Sequence, residues 1–204
     1  MSKPQKRWPE MMVAYIHSDD SPRSEEQCKR ILEMIQIEEE QINVLPASEA
    51  ASLNVNSTDS LIFGGLAAYP EGVRNDSAPW ETILGKNIPV WAFEAGVAVL
   101  LSEPETLKRL DTPEILRIRL TNEGKKDTIF STMDDLFYSA CYFEPFTLFN
   151  RDCGIPLAET HNGQVVAFRK PDQHVYGTLF HPHRYKSLVY RFFRKFVAQP
   201  ELLA

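Results

Sequence analysis

One stretch constrains the fold of this chain more than any other: Ile88-Pro-Val-Trp-Ala-Phe-Glu-Ala-Gly-Val-Ala-Val-Leu-Leu101. It predicts a buried strand, a sharp turn at Glu94, and a helix packed close behind through Ala95 and Gly96. Such an elbow aims one side chain into a pocket at a helix N-terminus. Here that side chain is a carboxylate, where such turns usually present a thiol or a hydroxyl.

The preceding residues supply the sheet that an elbow needs. Met11–Ile16 is a short apolar run, as a central parallel strand would be. Asp19, Asp20 and Ser21 offer helix caps ahead of Pro22, and Cys28, Ile31, Leu32 and Ile35 follow at helical spacing. Glu38–Gln41 ends that helix as a solvated face. Ile42–Leu45 and Ser60–Phe63 are further strand candidates, the second running into Gly64 and Gly65. A loop through Tyr69 and Pro70 leads to a predicted helix over Val73–Lys86. The order β-α-β-β-α-β-α is that of an α/β sheet with helices on its faces. Functional groups in such sheets gather at the carboxyl ends of strands, where Glu94, Gly64 and Gly65 fall.

The second half is richer in antiparallel signals. Leu116–Leu120 alternates apolar and charged residues, Gly124–Asp127 predicts a hairpin turn leading to Thr128–Phe130, and Phe137–Phe143 is β-prone. Asn162-Gly163 between Leu157–Thr160 and Gln164–Phe168 is a stronger hairpin signal. Val175–Phe180 predicts a buried strand ending at His181-Pro-His183, and Tyr185–Val197 a basic amphipathic helix with Leu188, Phe192, Phe193 and Phe196 as its apolar set.

The 204 residues suit one domain over 11–200, with 1–10 as a flexible N-terminal arm. A net charge of −6 disfavours nucleic acid and anionic membranes as partners. No apolar run is long enough to span a bilayer, and the N-terminus lacks the apolar core of a signal peptide. Three cysteines without metal-type spacing fit reduced thiols in the cytoplasm. No cofactor and no metal is expected. Cys28 and Cys141 read as core thiols and Cys153 as a turn residue. His17 reads as a cap or an exposed strand end, and His161 and His174 as turn residues.

Three stretches recur in matching order with a known family: Phe63-Gly-Gly-Leu-Ala67, Ala92-Phe-Glu-Ala-Gly-Val-Ala98 and Phe180-His-Pro-His183. Together they resemble the class I glutamine amidotransferases. That family has a glycine-rich oxyanion loop, a G-x-C-x-G-x-Q elbow and a late F-H-P-E motif. Gly64–Asn75, Cys141-Tyr-Phe-Glu-Pro145 and Val175–Pro182 narrow the likeness to stand-alone proteins similar to the glutaminase domain of CTP synthase. The resemblance implies a three-layer α/β/α flavodoxin-like fold, with a mostly parallel central sheet and added antiparallel strands. It implies a site built on Glu94, His181 and His183, with Gly64, Gly65, Ala95, Tyr69 and Arg74 about it. It also implies a small amide, an amino acid or a nucleotide-like molecule as ligand, and a synthase as partner.

Three positions depart from the family. Its cysteine is Glu94, its elbow glutamine is Ala98, and its triad glutamate is His183. Acyl-enzyme hydrolysis of an amide needs a strong nucleophile activated by a base. A carboxylate attacks amides poorly, so hydrolysis of glutamine by the family's route is not expected. Three roles for Glu94 remain open. It can pair with His181 in a non-hydrolysing binding or regulatory module. It can act with His181 as base or nucleophile in an altered hydrolase or transferase. It can join His181 and His183 as metal ligands, which suits the residue types but not the in-line order of the family triad.

Overall fold

The computed structural model describes residues 12–18, 22–35, 39–65, 85, 88–101, 107–148, 154–181 and 186–196. Nine strands form one sheet: β1 (Val13–His17), β2 (Ile42–Pro46), β3 (Ser60–Gly64), β4 (Val90–Phe93), β5 (Arg109–Leu120), β6 (Leu136–Phe143), β7 (Ile155–Thr160), β8 (Val165–Arg169) and β9 (Val175–Thr178). Their order is β2-β1-β3-β4-β9-β8-β7-β5-β6. The first five neighbours pair in parallel, and every pair from β9 to β6 is antiparallel. This is the expected α/β fold of flavodoxin-like type, a parallel core extended by an antiparallel wing.

The residue patterns explain the division. Every residue of β1, β3, β4 and β9 is buried, as strands covered on both faces must be. In β6, Phe137, Ser139, Cys141 and Phe143 are buried while the residues between them are exposed or half-buried, the period of a strand with one wet face. The hairpin between β7 and β8 turns at Gly163, whose φ of 78° suits a residue without a Cβ.

Helices α1 (Pro22–Ile35) and α3 (Lys186–Phe196) pack against each other. Proline opens α1, at a position where its missing N–H costs nothing. On α3 the predicted apolar residues Leu188, Phe192, Phe193 and Phe196 are all buried. Phe192 meets Trp91 edge-on at 5.0 Å and Tyr176 at 5.7 Å between ring centroids, joining α3 to the register pair of β4 and β9. The Trp91 indole donates to Thr178 Oγ1 at 3.2 Å, so its buried N–H is satisfied.

The predicted hairpin at Gly124–Asp127 is not formed. Asn122–Lys126 is instead a short helix, α2, and β5 pairs with β6, not with Thr128–Phe130. Local side chains decide this. Thr121 Oγ1 accepts from the Gly124 N–H at 3.0 Å and caps the helix. Asp127 Oδ1 then accepts from the Ile129 and Phe130 N–H groups at 2.8 and 3.1 Å, turning the chain inward. The predicted helix over Val73–Lys86 lies outside the described residues apart from Gly85. Among the described residues no helix is long and apolar enough to cross a membrane.

Candidate functional site

The elbow forms as expected in its backbone. Buried β4 ends at Phe93, and Glu94 turns the chain with φ 52°, a left-handed conformation that non-glycine residues seldom adopt. Holding it costs about 1–3 kcal/mol, and such strain concentrates at functional positions. The following helix, Glu94–Leu100, is wound as a tight 3-10 helix. Gly96 explains the close approach: a Cβ there would collide with the Phe63 carbonyl of β3. Gly65 has φ 120°, and a Cβ on it would strike Ser18. The Ser18 N–H donates to Gly64 O at 3.0 Å, so the glycine loop is seated on the end of β1.

Glu94 is wholly buried, at 0% exposure. Its Oε2 receives two neighbours. His181 Nδ1, just past β9, lies 3.2 Å away, close but not aligned as a hydrogen bond. Gln27 Nε2, from α1, donates to the same oxygen at 3.3 Å. The other oxygen, Oε1, has no hydrogen-bond partner among the described residues. Phe93 meets the imidazole edge-on, 4.9 Å between centroids, and holds it beside the elbow.

The backbone donor next to the elbow is also committed. In elbows that stabilise an oxyanion, the N–H after the nucleophile points at the developing charge. Here the Ala95 N–H donates to the Gly65 carbonyl at 3.1 Å. Glycine loop and elbow are therefore joined to each other.

Five of the eight site residues read from the sequence, Glu94, His181, Ala95, Gly64 and Gly65, come together. His183, Tyr69 and Arg74 lie outside the described residues, as does Cys153. His17 differs from its reading as a cap or exposed strand end. It is buried, its ring stacked on Tyr15 with centroids 6.5 Å apart. Among the described residues no group of three or more His, Cys, Asp or Glu side chains is placed to hold a metal ion.

Cys141 lies on β6, where its backbone forms a β-bridge with Phe180, and its thiol is close enough to Glu94 to feel that carboxylate. Burial, then the charges of Glu94 and Glu114, push its pKa up to about 12, so it carries almost no thiolate at neutral pH. Sequence reasoning passed over Gln27. The available signal was its place four residues before Ile31, on the inward stripe of α1, where a polar side chain needs a partner.

No protein-family model matches the chain, and no curated protein does. Solved structures do. A candidate GMP synthase subunit from Thermoplasma acidophilum aligns with TM-score 0.70 at 16% identity, over 95% of this chain and 97% of that one. A glutamine amidotransferase from Methylobacillus flagellatus aligns with TM-score 0.60 at 14% identity, over 84% and 70%. A ThuA-like protein candidate from Bacteroides uniformis aligns with TM-score 0.58 at 8% identity, over 94% and 94%. With the mixed sheet and the strained turn after β4, these likenesses show that the chain shares its fold with these structures, a glutamine amidotransferase among them.

Proposed function

We propose that this chain is a degenerate class I glutamine-amidotransferase-like protein that does not hydrolyse glutamine and works as a small-molecule-binding or regulatory module. One observation carries the reading: Glu94 is enclosed at the elbow and held by His181 and Gln27. The chemistry agrees. The elbow lacks a sulfur nucleophile, Cys141 is kept protonated, and the Ala95 N–H is given to Gly65. Losing one triad member alone lowers rates by on the order of 10⁴–10⁶.

The finer assignment rests on motifs. Gly64–Asn75 and Val175–Pro182 favour the CTP-synthase-like branch. By resemblance, Tyr69, Arg74 and His183 complete the site, and its ligand is a small amide, an amino acid or a nucleotide-like molecule. A synthase-type partner fits a neighbour described as part of a GMP synthase. A cytoplasmic location fits the buried free thiols Cys28 and Cys141.

The test is direct. Purified protein incubated with glutamine is expected to release no ammonia above the uncatalysed background, and brisk release overturns the reading. The alternative, a hydrolase or transferase using Glu94 as base or nucleophile with His181, draws on the Oε1 atom, which has no donor among the described residues. Turnover that disappears in Glu94→Gln would favour it.

A further inference from the structure

Gln27 belongs to α1, 67 residues from the elbow, yet its side chain ends on the elbow carboxylate. It is 8% exposed, so its carboxamide is enclosed with Glu94 rather than laid over it from solvent. Its Nε2 is bound, while its Oε1 has no hydrogen-bond partner among the described residues. A glutamine buried with its carbonyl oxygen unpartnered among the described residues is a poor structural filler, because each buried unsatisfied acceptor is costly. Leucine would fill similar space without that cost. The group that remains useful is the N–H donor facing Glu94.

We propose that Gln27 is a built-in occupant of the elbow seat: its carboxamide lies against Glu94 and closes the carboxylate to molecules from outside. The inference rests on the reading of the elbow as a binding site. It adds that the site is self-filled and names the displaced ligand class, a primary carboxamide able to make the same N–H to carboxylate bond. Gln27, His181 and Glu94 come from α1, the end of β9 and the end of β4. Emptying the seat therefore requires α1, or at least the Gln27 rotamer, to move away from the elbow. No covalent step is involved.

Carbodiimide with an amine nucleophile, read by peptide mass spectrometry, reports whether Glu94 can be reached. In the full-length wild type Glu94 is expected to stay unlabelled. In Gln27→Ala its labelling should rise by at least about tenfold, the equilibrium effect of losing a hydrogen bond to a charged group. Acetamide should suppress that rise, and acetate should not, because its charge repels Glu94. Gln27→Leu, which refills the seat with an apolar side chain, should remain unlabelled and indifferent to acetamide. Buried Asp127 serves as an internal reporter of loosening and should stay unlabelled throughout. Wild-type labelling of Glu94 at the rate of surface carboxylates overturns the proposal. So does labelling in Gln27→Ala that acetamide leaves unchanged or that Asp127 shares. These outcomes are independent of ammonia release, so failure here and failure of the functional reading are told apart.

Discussion

Two buried carboxylates in this molecule are treated in opposite ways. Asp127 sits at the junction of α2 and the core with both oxygens engaged. Oδ1 accepts from the Ile129 and Phe130 N–H groups, and Oδ2 accepts from the Tyr176 hydroxyl at 3.1 Å with Arg169 Nε at 3.4 Å. Glu94 sits at the end of β4 on strained backbone, with two groups crowded on one oxygen and none on the other. The first arrangement is what stability alone produces: a buried charge with compensation on every side. The second keeps a carboxylate where the fold gains little from it, as expected of the binding position proposed above.

The contrast predicts unequal responses to mutation. Asp127→Ala should cost the most, about 3–5 kcal/mol, because it breaks a buried pair and strands the Arg169 and Tyr176 groups. Urea denaturation measures it, and a loss below about 1 kcal/mol would remove the structural role assigned to Asp127. Glu94→Gln should stay within about 1 kcal/mol of the wild type, since removing a poorly compensated buried charge offsets the weakened contacts. A penalty matching that of Asp127→Ala would erase the distinction between the two sites.

A subtler readout concerns the charge on Glu94. Burial is the main reason the Cys141 thiol is pushed up to about 12, with Glu94 second. Native Cys141 should therefore resist iodoacetamide at pH 8 and react after unfolding. In Glu94→Gln its native alkylation at high pH should become faster, because one repelling charge is gone. Unchanged alkylation would mean that Glu94 carries no charge in the folded protein.

The smallest effect is expected at His174, whose ring stacks on Phe196 of α3 at 4.3 Å. Burial and then the Lys195 cation hold its pKa below the ordinary 6.5. The folded state thus binds this proton less readily than the unfolded chain. Its stabilising contribution is complete above that ordinary value and is lost as pH falls through the lower folded one. A modest drop in urea midpoint between neutral and mildly acidic pH should follow, and it should shrink in His174→Gln.

What could be read in advance follows the same division between local and distant causes. The four inner parallel strands β1, β3, β4 and β9 were legible because burial on both faces forces continuous apolar runs such as Val13–Ile16. The β7–β8 hairpin was legible because Asn162-Gly163 carries its turn in two adjacent residues. The segment after β5 was misread as a hairpin because Gly124 and Asp127 also have turn chemistry, and the Thr121 side chain that caps a helix there instead was passed over. Glu94 and His181 were found through motifs. Gln27 was not, because an inward polar residue on a helix means nothing until the fold supplies its partner. His17 was misjudged for the same reason, since its burial depends on packing over the end of β1.

The link between the Ala95 amide and the Gly65 carbonyl bears on what a sulfur atom at the elbow could do. Installing sulfur by Glu94→Cys would supply an attacking atom but leave the Ala95 N–H tied to Gly65 rather than free to steady the alkoxide it creates. That amide would have to be released by shifting the glycine loop, which is seated on Ser18. On the function proposed above, amide hydrolysis at this elbow would thus need two changes at once, a new attacking atom and a freed amide.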